Sequence, residues 1–276
     1  MSILINRRTK ILVQGITTSE GRRYTSSMLE YKAEIVAGVS PGRYGQEVMG
    51  VPVYDKVNEA IKRHDIDVSV IFVPKNSAAD AAREALENGI KLVIIVTGGI
   101  PVTETLKLKN MARENNAALL GPGSSGILVP GETKAGKIEI EYVLPGSVAV
   151  ITRTAGRENE IMKSLFKEEI GESVIVSLGG EMIVGTDYVD VLTELKDDPK
   201  TQAIVIGGEI GGKMEEDAAR FVKDTKYPKP VLAYLFDSDT NPDAANEKIN
   251  LFSKAGITVV EDIWEIGQLI KESTEE

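Results

Sequence analysis

Short, almost wholly apolar runs recur along this sequence and constrain the fold more than any other feature. Residues 68–73 read Val-Ser-Val-Ile-Phe-Val, and similar runs alternate with longer amphipathic stretches. A strand of this composition needs apolar cover on both faces, as in a parallel sheet between two layers of helices. The sequence therefore predicts an α/β fold.

The strand–helix alternation occurs twice, so a chain of 276 residues is expected to form two domains. The first half has predicted strands at Lys10–Ile16, Glu34–Val39, Asp67–Val73, Lys91–Thr97 and Ala118–Leu120, and helices at Val57–His64, Ala78–Asn88 and Glu104–Asn115. The second half has predicted strands at Ser147–Ile151, Ser173–Ser177, Ala203–Ile206, Val231–Leu235 and Thr258–Val260. Its predicted helices are Asn159–Glu168, Tyr188–Leu195, Glu215–Asp224, Pro242–Lys254 and Ile263–Lys271. We expect a Rossmann-like domain over 1–122, a turn-rich linker over 123–146 and a flavodoxin-like domain over 147–276.

Composition excludes several classes of function. The chain has no cysteine, so disulfides, zinc–thiolate sites, iron–sulfur clusters and cysteine nucleophiles are ruled out. A net charge of −10 argues against a nucleic-acid-binding surface, which needs basic residues to neutralise phosphates. Because no apolar run approaches the roughly 18 residues of a membrane span and the start is too short for a secretory signal, we expect a soluble, cytoplasmic protein.

Three loops of the first half follow predicted strands, so they should meet at the carboxyl edge of one sheet, where doubly wound folds bind ligands. Gln14–Gly21 should open a helix whose free amides can receive a phosphate, although an ordinary capped turn explains it equally well. Ser40–Gly45 contains Arg43, which is either a phosphate contact or a solvated arginine. Thr97–Pro101 can let a ligand approach the backbone closely, or be a structural turn.

Two loops of the second half carry candidate chemistry. Thr152–Arg157 lies between a strand and a helix, and the amides and hydroxyls of Thr152, Thr154, Ala155 and Gly156 can form an anion site or simply cap the helix. Gly207–Gly212 places Glu209 in a glycine-rich loop, as a site carboxylate or a solvated turn residue. Asp237–Asp239 is typical of a turn and cap, and we predict no metal site.

These loops, in this order, resemble the alpha subunit of succinyl-CoA synthetase over nearly the whole chain. The resemblance is carried by Ser2–Ile5, Gln14–Gly21, Gly38–Gly42, Gly50–Val53, Val73–Pro74, Gly99–Pro101, Gly121–Pro122 and Gly207–Gly212. It implies a first domain that binds coenzyme A, a nucleotide-dependent acid–CoA ligase activity of the tricarboxylic acid cycle, and a beta-like partner subunit. It assigns CoA contacts to Thr17, Thr18, Ser19, Glu20, Arg43, Val96, Thr97 and Gly98.

The sequence departs from this family at its phosphoryl carrier. The family places a phosphorylated histidine in a glycine-rich loop after the strand that corresponds to Val231–Leu235, but here Phe236–Pro242 runs directly into the next helix. The lone histidine, His64, is expected on the surface of the first half. Other differences cluster at the same chemistry: Gly123–Ser125 replaces asparagine-cysteine-proline, Asn159 a tyrosine, and Gly98 an acid. Glu209 matches the glutamate that supports the family's phosphohistidine.

Three hypotheses follow. The first is a CoA-binding, ligase-alpha-like protein without phosphohistidine transfer. The second is an active acid–CoA ligase subunit that works with a beta-like partner, either by direct transfer or with Glu209 or Asp237 in place of the histidine. The third is a dinucleotide-binding module, which the sequence favours less because Val39 and Ser40 occupy the end of the second strand, where an acid is usual.

Overall fold

The computed structural model describes residues 4–275 and divides into two compact units. The first unit comprises Met1–Ile138 and Leu178–Thr186, and the second comprises Glu139–Ser177 and Asp187–Glu276. Part of the opening motif, residues 1–3, lies outside the described residues.

The first unit is a doubly wound parallel sheet with helices between its strands. Its strands are β1 (Lys10–Gln14), β2 (Glu34–Val39), β3 (Glu47–Val48), β4 (Val51–Tyr54), β5 (Val68–Ile71), β6 (Leu92–Ile95) and β7 (Ala118–Leu120). Its helices are α1 (Ser19–Glu30), α2 (Val57–Ile61), α3 (Lys75–Glu87) and α4 (Val102–Glu114). The order β3-β4-β2-β1-β5-β6-β7 is that of a Rossmann-type sheet with a short antiparallel strand, β3, at one edge. The predicted Rossmann-like fold is confirmed.

Small residues on the inner face of α3 explain how this helix packs closely against the sheet. Ala78, Ala82 and Ala85 are fully buried and belong to one apolar cluster with residues of β1 and β6, such as Leu12 and Val93. Since each buried leucine or valine contributes about 1.5–3 kcal/mol, this cluster is a principal source of the unit's stability.

The second unit is also a parallel α/β sheet. Its strands are β10 (Pro145–Thr152), β11 (Glu172–Ser177), β12 (Ala203–Glu209), β13 (Val231–Phe236) and β14 (Thr258–Val260). Its helices are α5 (Glu158–Lys167), α6 (Tyr188–Leu195), α7 (Met214–Thr225), α8 (Pro242–Lys254) and α9 (Ile266–Glu275). Within this unit the strand order is β14-β13-β12-β10-β11, the flavodoxin-like order that the sequence predicted. Across residues 4–275, no helix is long and apolar enough to cross a membrane.

The boundaries of the two compact units differ from the predicted domain boundaries. The predicted boundaries stay a prediction. Much of the predicted linker is a hairpin, β8 (Gly126–Val129) and β9 (Thr133–Gly136), that packs on α1. The Nζ of Lys134 donates to the Oγ of Ser27 at 2.8 Å. Residues 178–186 return to the first unit, where the amide of Gly121 donates to the carbonyl of Leu178 at 2.8 Å. Segments that looked irregular in sequence therefore complete the first unit.

Candidate functional site

A cleft of about 440 Å³ opens in the first unit at the carboxyl ends of β1, β2 and β5. This is the edge at which the strand order reverses, and such switch points are where doubly wound sheets bind ligands. The residues that line the cleft include Gly15, Thr17, Thr18, Ser40, Arg43 and Pro74. Two loops that the sequence singled out, Gln14–Gly21 and Ser40–Gly45, thus meet at one site.

The loop after β1 presents the amino end of α1 to this cleft. Thr18 caps the helix: its Oγ1 accepts from the amide of Gly21 at 2.9 Å and donates to the carbonyl of Gly15 at 2.8 Å. Its hydroxyl is therefore engaged in the turn. The amides of Ser19 and Glu20 lie in the first helical turn, where N–H groups lack an intrahelical acceptor. Because α1 has 12 residues and begins with these free amides, its amino end favours binding of an anion.

Gly21 is required by this close packing of loop and helix. A Cβ atom at this position would lie 2.1 Å from the carbonyl oxygen of Gly15, which is backbone and cannot move aside. The glycine of the sequence motif thus has a steric reason, independent of any ligand.

The loop after β2 is fixed by its backbone and leaves its arginine unpaired. The amides of Arg43 and Tyr44 donate to the same oxygen of Asp55, at 2.9 and 3.0 Å. The side chain of Arg43 is exposed and, within residues 4–275, forms no ion pair. The buried Ser40 accepts a hydrogen bond from the hydroxyl of Thr17 at 2.9 Å and so ties the two loops together. The sequence had suggested no role for Ser40 or Asp55.

The segment after β6 contributes mainly backbone. Val96 is only 4% exposed, and its amide donates to the carbonyl of Ile71 at 3.2 Å. Thr97 donates its hydroxyl to the carbonyl of Val73 at 2.7 Å, and Gly98 is exposed. A carboxylate from the returning segment also reaches this turn: Oε1 of Glu181 accepts from the amide of Gly99 at 2.5 Å.

In the second unit, the loop after β10 already holds a carboxylate. Glu158, on the first turn of α5, is 1% exposed, and its Oε2 accepts from the amide of Gly156 at 2.9 Å and from the hydroxyl of Thr152 at 3.2 Å. Two of the four residues predicted to bind phosphate therefore bind this carboxylate. Thr154 and Ala155 are half-buried in the same loop.

The glycine-rich loop after β12 is held by a buried acid that the sequence analysis missed. Glu215 is fully buried; its Oε2 accepts from Nζ of Lys248 at 2.6 Å and its Oε1 from the amide of Glu209 at 3.0 Å. Arg153, 8% exposed, lies 3.7 Å from the same carboxylate and donates to the carbonyl of Gly211 at 2.9 Å. Glu209 itself is half-buried at the end of β12, and its backbone makes this contact.

A tyrosine beneath the same loop stays neutral. Tyr188 is fully buried and donates its hydroxyl to the carbonyl of Gly207 at 2.8 Å. Burial, together with the nearby charge of Glu215, raises the pKa of Tyr188 well above its usual range. The hydroxyl is therefore a fixed donor that anchors the last residues of β12.

The short connection after β13 is tethered to the start of α5. Nη2 of Arg157 forms a 2.5 Å ion pair with Asp237, and the same guanidinium lies 4.7 Å from the ring centre of Phe236. Asp237 has a φ of 54° and begins a single 3₁₀ turn, Ser238–Thr240. Within residues 4–275, no group of three acidic or histidine side chains is arranged to hold a metal ion.

The histidine expected on the surface is half-buried in the first unit. Its Nε2 lies 2.8 Å from the hydroxyl of Tyr54, and the two rings meet edge to face. His64 is therefore partly exposed, as a surface residue is, and partly covered by an aromatic side chain of the neighbouring strand β4.

Family models match regions in both halves of the chain. Residues 6–99 match the family described as CoA binding domain, and residues 151–265 match the CoA-ligase family. The alpha 2 subunit of an ADP-forming succinate–CoA ligase from Archaeoglobus fulgidus is 40% identical, over 99% of both chains. The chain belongs to the succinate–CoA ligase alpha-subunit family.

Members of this family differ in the acid named for them. The alpha subunit of succinate–CoA ligase from Aquifex aeolicus is 37% identical over 98% of this chain and 94% of its own length. A subunit of an ADP-forming sulfoacetate–CoA ligase from Acholeplasma sp is 36% identical over 99% of this chain and 98% of its own. The matched CoA-binding region contains every predicted CoA contact, while the role of each residue stays a prediction.

Solved structures share the fold. ATP citrate lyase from Methanothrix soehngenii, in complex with citrate and coenzyme A, superposes with a TM-score of 0.87 at 23% identity over 99% of this chain. This chain spans half the length of that protein, since the match covers 50% of it. The similarity is therefore one of fold, between this chain and one half of a longer enzyme.

Proposed function

We propose that this chain is a CoA-binding, alpha-type subunit of an acid–CoA ligase that does not carry a phosphoryl group on histidine. One observation carries the second half of this proposal: the sequence contains 1 histidine, and it is His64 of the first unit, hydrogen-bonded to Tyr54. The second unit, where the family's phosphoryl carrier is expected, contains none.

The residues of the first cleft fit coenzyme A. Its phosphates need amides and a cation, and the cleft offers the first-turn amides of Ser19 and Glu20 beside the unpaired Arg43. Its volume of about 440 Å³ is in the range of nucleotide pockets. When bound, coenzyme A supplies the thiol that accepts an acyl group.

The state of the second unit also supports a lost phosphoryl transfer. Glu158 fills the anion-binding loop with a carboxylate of the chain itself, so a phosphate at Thr152 and Gly156 would have to displace a buried, hydrogen-bonded negative charge. Asp237, one of the two replacement nucleophiles considered, is paired with Arg157. Each contact opposes a phosphorylated intermediate at this edge.

A beta-like partner chain is part of the proposal. Its support is that the relatives are alpha subunits, a name that implies a second kind of subunit. The acids named for the relatives differ between succinate and sulfoacetate, so the proposal names no acid substrate for this chain.

The proposal is tested first by isothermal titration with coenzyme A. We expect saturable binding, weakened about ten-fold or more in Arg43→Ala, because a charge-assisted hydrogen bond to phosphate contributes about 1.5–3 kcal/mol. Arg113→Ala removes the same charge from the exposed end of α4 and should leave affinity unchanged. Absence of binding by the wild-type chain would overturn the proposal.

A labelling experiment separates the proposal from the rival, an active subunit with another nucleophile. The chain is incubated with a beta-type ligase subunit and a nucleoside triphosphate labelled in its γ-phosphoryl group. We expect no covalent label on this chain. A label that is lost in base would indicate an acyl phosphate on Glu209 or Asp237 and would favour the rival.

A further inference from the structure

The turn after β6 is completed by a carboxylate that comes from far along the chain. Oε1 of Glu181, which is 82 positions away in sequence, accepts from the amide of Gly99 at 2.5 Å. The segment that carries Glu181 is held on both sides by one residue, since Gly121 donates to Leu178 at 2.8 Å and accepts from Gly185 at 2.9 Å. The carboxylate is thus delivered by a loop with two fixed ends.

Gly98 is what admits this carboxylate. A Cβ atom at position 98 would lie 3.1 Å from Oε1 of Glu181, tighter than nine in ten real Cβ contacts, so the carboxylate would have to shift by a few tenths of an ångström. The backbone of Gly98 does not have a positive φ, so its conformation alone would accept another residue. Glycine leaves this space open, and the carboxylate of Glu181 occupies it.

We infer that Glu181 is a positioning residue for coenzyme A, which supplies from a second segment the carboxylate that the family resemblance places directly after Thr97. This inference rests on the proposed CoA binding by the first unit. Gly99 has a φ of 78°, and Glu181 accepts from its amide. This hydrogen bond holds Thr97 and Gly98 in the conformation in which they would contact the cofactor. An ordered turn binds a ligand with less loss of entropy than a mobile one.

The charge at this turn indicates which part of coenzyme A it meets. Lys75 is also close to this turn, since a Cβ atom at Gly99 would be 3.1 Å from its Nζ. The turn therefore has one cation and one carboxylate close by. The cleft has the unpaired Arg43 and free helix amides, and its two carboxylates are already engaged, Asp80 by Arg83 and Glu84 by the amide of Val57. The phosphates belong at the positive end, and the uncharged pantetheine arm belongs at Gly98.

The test compares two ligands on one variant. Glu181→Ala should weaken coenzyme A about five- to ten-fold by isothermal titration, as expected for loss of one charge-assisted hydrogen bond that orders the site. Adenosine 3′,5′-bisphosphate, which lacks the pantetheine arm, should bind wild type and variant alike. Glu114→Ala, an exposed acid near the far end of α4, is the matched control.

A second variant distinguishes a relocated carboxylate from general damage to the fold. Gly98→Glu alone should weaken binding of coenzyme A, because the new side chain displaces the carboxylate of Glu181 from the amide of Gly99 and places a second acid beside it. Combined with Glu181→Ala, it should recover most of the lost affinity. Equal weakening of both ligands, an unchanged affinity in Glu181→Ala, or no recovery in the double variant would overturn the inference while leaving CoA binding intact. Failure of the wild-type chain to bind coenzyme A would overturn the proposed function and this inference together.

Discussion

Glu215 illustrates how a single buried carboxylate organises the second unit. It faces Lys248 and Arg153, both almost fully buried, and the same two cations donate to the carbonyls of Gly211 and Gly212. The three side chains come from α7, from α8 and from the residue directly after β10, so they join three parts of the second unit beneath one loop. A buried charge cluster of this kind is costly to form but more costly to break.

We therefore expect Glu215→Gln to lower the free energy of unfolding by about 3 kcal/mol, because it leaves two cations buried without their carboxylate. Denaturant unfolding measures the change. The combined Glu215→Gln and Lys248→Met variant should lose less than the sum of the single losses. Asp217→Asn, which breaks an exposed pair with Arg220, should cost about 0.5 kcal/mol or less. Strictly additive losses would show that the buried pair does not act as a unit.

At the scale of elements, α5 begins on its own acid rather than on an external anion. Glu158 accepts from the amide of Gly156 and the hydroxyl of Thr152, and the preceding residue, Arg157, pairs with Asp237 after β13. The helix start, the end of β10 and the shortened connection are thus linked by polar contacts of four side chains. These contacts stabilise the edge at which related chains are expected to handle phosphate.

Glu158→Ala should destabilise the chain by about 1–2 kcal/mol, because a buried amide and a buried hydroxyl lose an acceptor. Glu158→Gln keeps an acceptor oxygen and should cost less. The measurement is the midpoint of denaturant unfolding, with Glu160→Ala as the control from the exposed side of the same turn. A midpoint for Glu158→Ala that matches wild type would mean that the loop does not depend on this carboxylate.

At the scale of the whole molecule, stability should depend on pH through Glu172. This residue at the start of β11 is 1% exposed, its Oε2 accepts from the amide of Leu144 at 3.1 Å, and its Oε1 has no partner among the described residues. Burial raises the pKa of Glu172 from 4.5 to about 8. The folded chain therefore holds a proton that the unfolded chain releases.

Because the folded chain binds this proton more tightly than the unfolded chain, the free energy of unfolding falls as the pH rises. The contribution of Glu172 to stability is full below pH 4.5 and is lost as the pH rises to about 8, at up to about 1.4 kcal/mol per pH unit. Glu172→Gln should make the free energy of unfolding depend less on pH. Relative to wild type, the variant should therefore become more stable as the pH rises from 6 to 9. Glu247→Gln, an exposed acid on α8, should change neither. Parallel profiles for wild type and Glu172→Gln would contradict this assignment.

Local patterns allowed the elements to be predicted, whereas contacts between distant residues could not be. Tyr188–Leu195 and Pro242–Lys254 were predicted with both ends correct, because Asp187 and Asn241 cap them. The helix at Val57–His64 ends earlier, at Ile61, and β8 and β9 were missed in a stretch rich in turns. The loops around Thr17 and Arg43 were predicted to meet because parallel strands align their carboxyl ends. Glu158, Glu181 and Glu215 gave no signal, since their partners are set by the tertiary structure.

The return of residues 178–186 to the first unit limits how this protein can be recombined. The chain passes between the units after Ile138, after Ser177 and after Thr186, so no single crossover separates them. A chimera joined near residue 138 would inherit the turn after β6 from one parent and the carboxylate of Glu181 from the other. Chimeras made from two relatives should therefore fold more often when residues 178–186 come from the same parent as the amino-terminal part.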